Sequence, residues 1–175
     1  SNSNLPAPAF NGSRALIVRS LSGFGRIGYI WNPPSLARIK TSATDTQGTD
    51  VVIFGGGYDM CYENEYFQIG VTATTQNGIS ATCAGKTQAD GNAVYIINAK
   101  TGALLWSATY NASASGSFDG KKYMKHSIVG GITVLDRDND GYADQLYFAD
   151  LGGQVFRADF KDGIVASDKG RVVRI

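Results

Sequence analysis

The chain has 175 residues, room for one ordinary domain with a sizeable core. Its 43% apolar content and 18% charge suit a globular protein. A net charge of +1, from 16 basic and 15 acidic side chains, gives no reason to expect nucleic acid or an anionic membrane as partner, and no apolar run approaches the ~18 residues of a membrane span.

The 22 glycines, 9 tyrosines and 8 phenylalanines, with many Val, Ile and Thr, favour short strands and frequent turns, hence an all-β class. The chain starts at Ser1 rather than Met and is expected to be a piece excised from a longer protein, so the lack of a signal peptide says nothing about localisation. Residues 1–13 read as a tail or linker, and 14–175 as the domain. Strands are expected in chain order at Ala15–Arg19, Leu36–Lys40, Asp50–Phe54, Tyr66–Thr72, Ala93–Asn98, Ala103–Thr109, Ile128–Leu135, Asp144–Phe148, Gln154–Phe160 and Arg171–Ile175. Turn signals separate them at Asn32-Pro33-Pro34, Gly55-Gly56-Gly57, Asn77-Gly78, Asp90-Gly91, Thr101-Gly102, Asp119-Gly120 and Asp162-Gly163. No segment keeps a 3.6-residue period, so little helix is expected.

Two hairpins resemble each other. Ala93–Trp106 reads as a strand, a tight turn and a strand ending in an aromatic, and Gln145–Arg157 repeats the plan about fifty residues later, a spacing typical of a β-propeller blade. At ~40–50 residues per blade the chain holds three to four, and a fragment of a larger propeller is expected.

Cys61 and Cys83 flank a polar stretch within an inserted loop at 59–92. A disulfide pinning that loop is one reading and implies an oxidising compartment; two unrelated free thiols is the other. Two cysteines without a nearby histidine argue against zinc.

Five of the 15 acids lie between Asp136 and Asp150, where Arg137 is the only basic residue. Counting Asp136 as position one, Asp138, Asp140 and Asp144 fall at three, five and nine, Gly141 at six and Tyr142 at seven. This follows the opening of an EF-hand calcium loop, in which alternate oxygen donors converge and glycine permits the sharp turn. The expected ligands of one Ca²⁺ are therefore Asp136, Asp138, Asp140, Asp144 and the Tyr142 carbonyl. Position twelve is Tyr147 rather than Glu, and the flanks read as strands, so the loop is not a helix-loop-helix sensor. Mg²⁺ rarely uses an all-protein cage. The alternative is a polar hairpin whose Asp and Asn residues merely make turns.

Other features are weaker. His126, the only histidine, lacks a partner at recognisable spacing and reads as structural or surface. Gly55-Gly56-Gly57 lacks the Lys-Ser/Thr of a phosphate loop and reads as a tight strand exit. Trp31 and Trp106 read as packing residues, and no catalytic set is visible.

The ordered set Trp31–Arg38, Val51–Asp59, the 93–106 hairpin, Lys125–Ile128, the Asp loop and Leu146–Asp159 resembles the PilY/PilC type IV pilus tip proteins over roughly residues 24–160. The resemblance implies a non-enzymatic, calcium-binding propeller region of a pilus biogenesis factor and adhesin. It implies an ion that governs pilus extension against retraction, twitching and attachment. It further implies pilus machinery or minor pilins as partners, a host-surface ligand as a further candidate, and a place in the periplasm, at the outer membrane or at the pilus tip. The chain departs from the family in its shorter length and in the Cys61–Cys83 insertion. Rival readings are a fragment of a quinoprotein-like propeller dehydrogenase and a purely structural calcium-stapled domain.

Overall fold

The computed structural model describes residues 23–71, 76–114, 119–160 and 171–175. The 1–13 tail, the strand expected at Ala15–Arg19 and the Asp162-Gly163 turn lie outside them. The protein is all-β: among the described residues the helical elements are three short 3₁₀ turns. Among the described residues eight strands form two antiparallel sheets in simple chain order. The first contains β1 (Ser35–Ile39), β2 (Thr49–Gly55), β3 (Ala93–Asn98) and β4 (Leu104–Thr109). The second contains β5 (Thr133–Leu135), β6 (Gln145–Ala149), β7 (Val155–Asp159) and β8 (Arg171–Arg174).

Alternation along the strands sends one face of each sheet into a shared core. From the first sheet come Ile39, Val51, Ile53, Val94, Ile96 and Ala108; from the second come Leu146, Phe148, Phe156, Ala158 and Val172. Phe148 and Phe156, paired across β6 and β7, stack with centroids 5.5 Å apart. The outer faces differ in character. In the first sheet, Leu36, Val52, Ile97 and Leu104 stand in cross-strand register away from the core, and Leu36 is 76% exposed. In the second sheet the corresponding rows are mixed: Thr133, Tyr147, Arg157 and Val173 in one, and Leu135, Gln145, Asp159 and Arg171 in the other.

Two strand expectations need correcting. Residues 66–71 form turns and a bend rather than a strand, although they are rich in β-formers, and Thr72 lies outside the described residues. Tyr66 N–H donates to Asn64 Oδ1, Phe67 N–H to the Asn64 carbonyl and Gly70 N–H to the Lys86 carbonyl, so the segment spends these donors inside the insertion and pairs with none of the described strands. Of Ile128–Leu135 only the last three residues form a strand. Ahead of them, Ile128 N–H donates to the Gly91 carbonyl, the Ile128 carbonyl accepts from Gly57, and the Ile132 carbonyl accepts from Ser35 Oγ, single bonds to loops rather than a ladder.

The two similar hairpins also occupy unequal places. The pair β3–β4 forms the third and fourth strands of its sheet, whereas β6–β7 forms the second and third. Their likeness is that of local hairpins, not of whole sheets in register.

The insertion between β2 and β3 is closed by a Cys61–Cys83 disulfide spanning 22 residues, with Cα atoms 5.5 Å apart. Beneath it Asp59, only 3% exposed, accepts from Cys61 N–H (2.9 Å), Asp90 N–H (2.7 Å) and Lys86 Nζ (2.6 Å). Burial pushes the Asp59 carboxyl up, but Lys86 and the two amides outweigh it and hold the group below the usual carboxylate range. The glycine run is a tight strand exit, as expected: Gly56 N–H donates to the Ala93 carbonyl, and Gly57, at φ +94°, packs against Tyr29 and Gly91 backbone. His126 is partly buried, its Nδ1 lying 3.0 Å from the Tyr62 hydroxyl. Trp31 is 65% exposed, with its ring 5.4 Å from that of Tyr58, and therefore belongs to the surface rather than the core.

Candidate metal centre

β5 and β6 pair with Leu135 opposite Gln145, so residues 136–144 form the loop that joins them. Side chains organise this loop from within. Asp136 accepts from Asp140 N–H (3.2 Å) and Gly141 N–H (2.8 Å), and Asp144 Oδ2 accepts from Arg137 N–H (2.7 Å). Asn139 and Gly141 take left-handed backbone, at φ +61° and +88°. Asn is among the few side-chain-bearing residues that tolerate that region, and glycine enters it without strain. The loop thus folds as its Asp-Asn-Asp-Gly sequence requires.

Asp136, Asp138 and Asp144 each bring a carboxylate oxygen within 4.8 Å of the others. An ion bound at 2.3–2.6 Å places its most distant ligands about 5 Å apart, so the three oxygens lie on the scale of a Ca²⁺ coordination shell. A hollow of about 20 Å³ lined by Lys40, Asp138, Asp140, Tyr142, Ala143, Asp144 and Phe160 adjoins them. That volume is on the scale of one water-sized occupant. The side-chain donors are all hard oxygens, which suits calcium and not zinc or copper.

The fourth aspartate is placed differently. Asp140 Oδ1 accepts from Tyr142 N–H at 3.0 Å, and Oδ2 lies 2.5 Å from Lys40 Nζ. The hydrogen bond from Lys40 is the chief reason the Asp140 carboxyl falls below its ordinary range and the Lys40 ammonium rises above its own. Tyr142 offers the loop only its backbone, because its hydroxyl donates to the Thr46 carbonyl at 2.9 Å.

The loop is also fastened to the first sheet. Ala143 N–H donates to the Arg38 carbonyl, Lys40 Nζ stands 4.7 Å from the Tyr142 ring centroid, and Gly48 packs against that ring. Phe160, just past β7, donates its N–H to the Asp144 carbonyl at 2.8 Å. Lys40, Thr46 and Gly48 were not foreseeable from the loop's own pattern. They lie about a hundred residues earlier, and no local spacing signals such a contact.

No family model matches the chain, and no curated protein matches it. Among solved structures it is similar to the C-terminal domain of Pseudomonas aeruginosa PilY1, with 20% identity and a TM-score of 0.43 over 77% of this chain and 19% of that one. The chain thus spans about a fifth of the length of that structure. Among the described residues no helix is long and apolar enough to cross a membrane.

Proposed function

We propose that this chain is a calcium-binding, non-enzymatic piece of a larger β-propeller, each four-stranded sheet serving as one blade, within a type IV pilus biogenesis factor and adhesin. The calcium reading is carried by one observation: oxygens of Asp136, Asp138 and Asp144 converge within 4.8 Å in a loop whose turn is set by Gly141. With the ion bound, Asp140 and the Tyr142 carbonyl complete the donor set. The ion neutralises crowded carboxylates and holds the β5–β6 hairpin against the first sheet. It acts through a surface that its presence orders, with pilus machinery or a host surface as the other party. The pilus role rests on the ordered sequence motifs between residues 24 and 160. The disulfide supports an oxidising compartment, hence the periplasm, outer membrane or pilus tip.

Calorimetric titration with Ca²⁺ tests the binding: wild type takes up one ion and Asp136→Ala loses most affinity. Equal uptake by both would reject the site. In the full-length protein, Asp136→Ala should alter piliation, twitching or attachment at normal protein levels. Lost calcium binding with all three unchanged would leave the ion as a structural staple.

A further inference from the structure

We propose that Lys40 is a tethered counter-ion of the 136–144 loop, competing with the divalent cation for the Asp140 carboxylate, so that the ion's arrival is felt at residues 40–48 of the first sheet. The inference rests on the calcium reading above and concerns how that site is regulated. Both Asp140 oxygens already have partners: Oδ1 accepts from Tyr142 N–H within the turn, and Oδ2 lies 2.5 Å from the Lys40 ammonium. An ammonium and Ca²⁺ repel each other, so each weakens the other's hold on a shared oxygen. Ligation of the ion by Oδ2 therefore proceeds against the Lys40 contact and loosens it. It is this pairing that sets Asp140 apart from Asp136, Asp138 and Asp144, whose oxygens already converge.

Lys40 directly follows β1, and its ammonium stands over the Tyr142 ring. That ring packs against Gly48, and its hydroxyl holds the Thr46 carbonyl. Displacing Lys40 therefore changes the surroundings of the β1–β2 turn. The chemistry is an exchange of one monovalent, covalently attached cation for one free divalent cation. Its consequence is an affinity set lower than the aspartates alone would give.

Calcium titration of wild type, Lys40→Met, Asp140→Asn and the double variant tests this, with the Gly48 amide NMR signal as a second readout. Lys40→Met should bind Ca²⁺ about two- to fivefold tighter, the range a partly exposed ion pair supports. The gain should shrink in the Asp140→Asn background, because the competition acts through that carboxylate. Lys40→Arg, which keeps the charge, should stay near wild type. Calcium should shift the Gly48 amide in wild type, and Lys40→Met without calcium should already show part of that shift. Unchanged or weaker binding by Lys40→Met overturns the inference while leaving the calcium site intact. A gain that persists undiminished with Asp140→Asn also overturns it, since Lys40 would then act only as a diffuse repulsive charge. No calcium uptake by wild type and Lys40→Met alike overturns the calcium reading itself.

Discussion

Trp106 on β4 meets Phe160 edge to face, with ring centroids 5.0 Å apart and planes at 82°. The contact joins the two sheets at the point where Phe160 N–H caps the Asp144 carbonyl. Trp106→Ala should cost about 3 kcal/mol in denaturant unfolding, toward the low end for a large aromatic because the ring is only partly buried. A double-mutant cycle with Phe160→Ala should return a coupling of about 1 kcal/mol. Strict additivity would mean that the two rings do not support each other.

Gly91 and Gly102 share nearly the same left-handed backbone, at φ +73° and +72°. Only at Gly91 would a Cβ run into neighbouring backbone, that of Gly57 and Gly56. Gly102→Ala should therefore cost about 1 kcal/mol from conformation alone. Gly91→Ala should cost on the order of 3 kcal/mol or more, because backbone must move as well. Thermal unfolding of the pair checks it, and equal losses would contradict the packing at the strand exit.

Asp45 accepts hydrogen bonds from Thr41 N–H and hydroxyl and from Gly48 and Gln47 N–H. The Thr41 amide leads in holding its carboxyl down to about 2 from an ordinary 3.8. A carboxyl depressed in the folded chain adds stability above its unfolded value and loses it as pH falls through the folded one. The gap in melting temperature between wild type and Asp45→Asn should thus be steady near neutrality. It should close between about pH 4 and about pH 2. A gap that widens in acid would reverse the sign and refute the account.

Removal of the disulfide should be costly. By the chain-entropy model a 22-residue loop contributes on the order of 3 kcal/mol. Unfolding curves of Cys61→Ala/Cys83→Ala against the oxidised protein read that loss, and indistinguishable curves would remove the bridge from the stability account.

Calcium should stabilise the folded chain by mass action, by about 2.7 kcal/mol at a hundred times its dissociation constant. Melting with Ca²⁺ or with chelator should show that difference in wild type and not in Asp136→Ala. A calcium response of equal size in both would place the ion elsewhere.

Much of this was legible in the sequence. β3 spans the residues expected of it, and β1, β2, β4, β6, β7 and β8 depart by one residue or so at their ends. These strands carry their own alternating apolar signal, which neighbours only reinforce. The course of the 136–144 loop was legible for a similar reason: Asn139 and Gly141 set its path within a few residues. What stayed hidden depends on distant partners. Tyr66 and Phe67 look like strand residues, yet the strand β2 pairs instead with β3, beyond the insertion. Lys40 looks like the polar end of β1, and its meeting with Asp140 is a product of sheet stacking.

The insertion has one more consequence. β2 and β3 are central neighbours in their sheet, yet everything from Gly56 to Asn92 lies between them in the chain. Bringing two strands together across a long connection carries an entropic penalty that grows with its length, and non-local pairing slows folding. The Cys61–Cys83 bond removes most of the insertion from that path. Thiol oxidation ahead of strand pairing therefore shortens the search by which the first sheet closes. For this chain, the redox state of the compartment into which it emerges is a kinetic variable of assembly as well as a contribution to final stability.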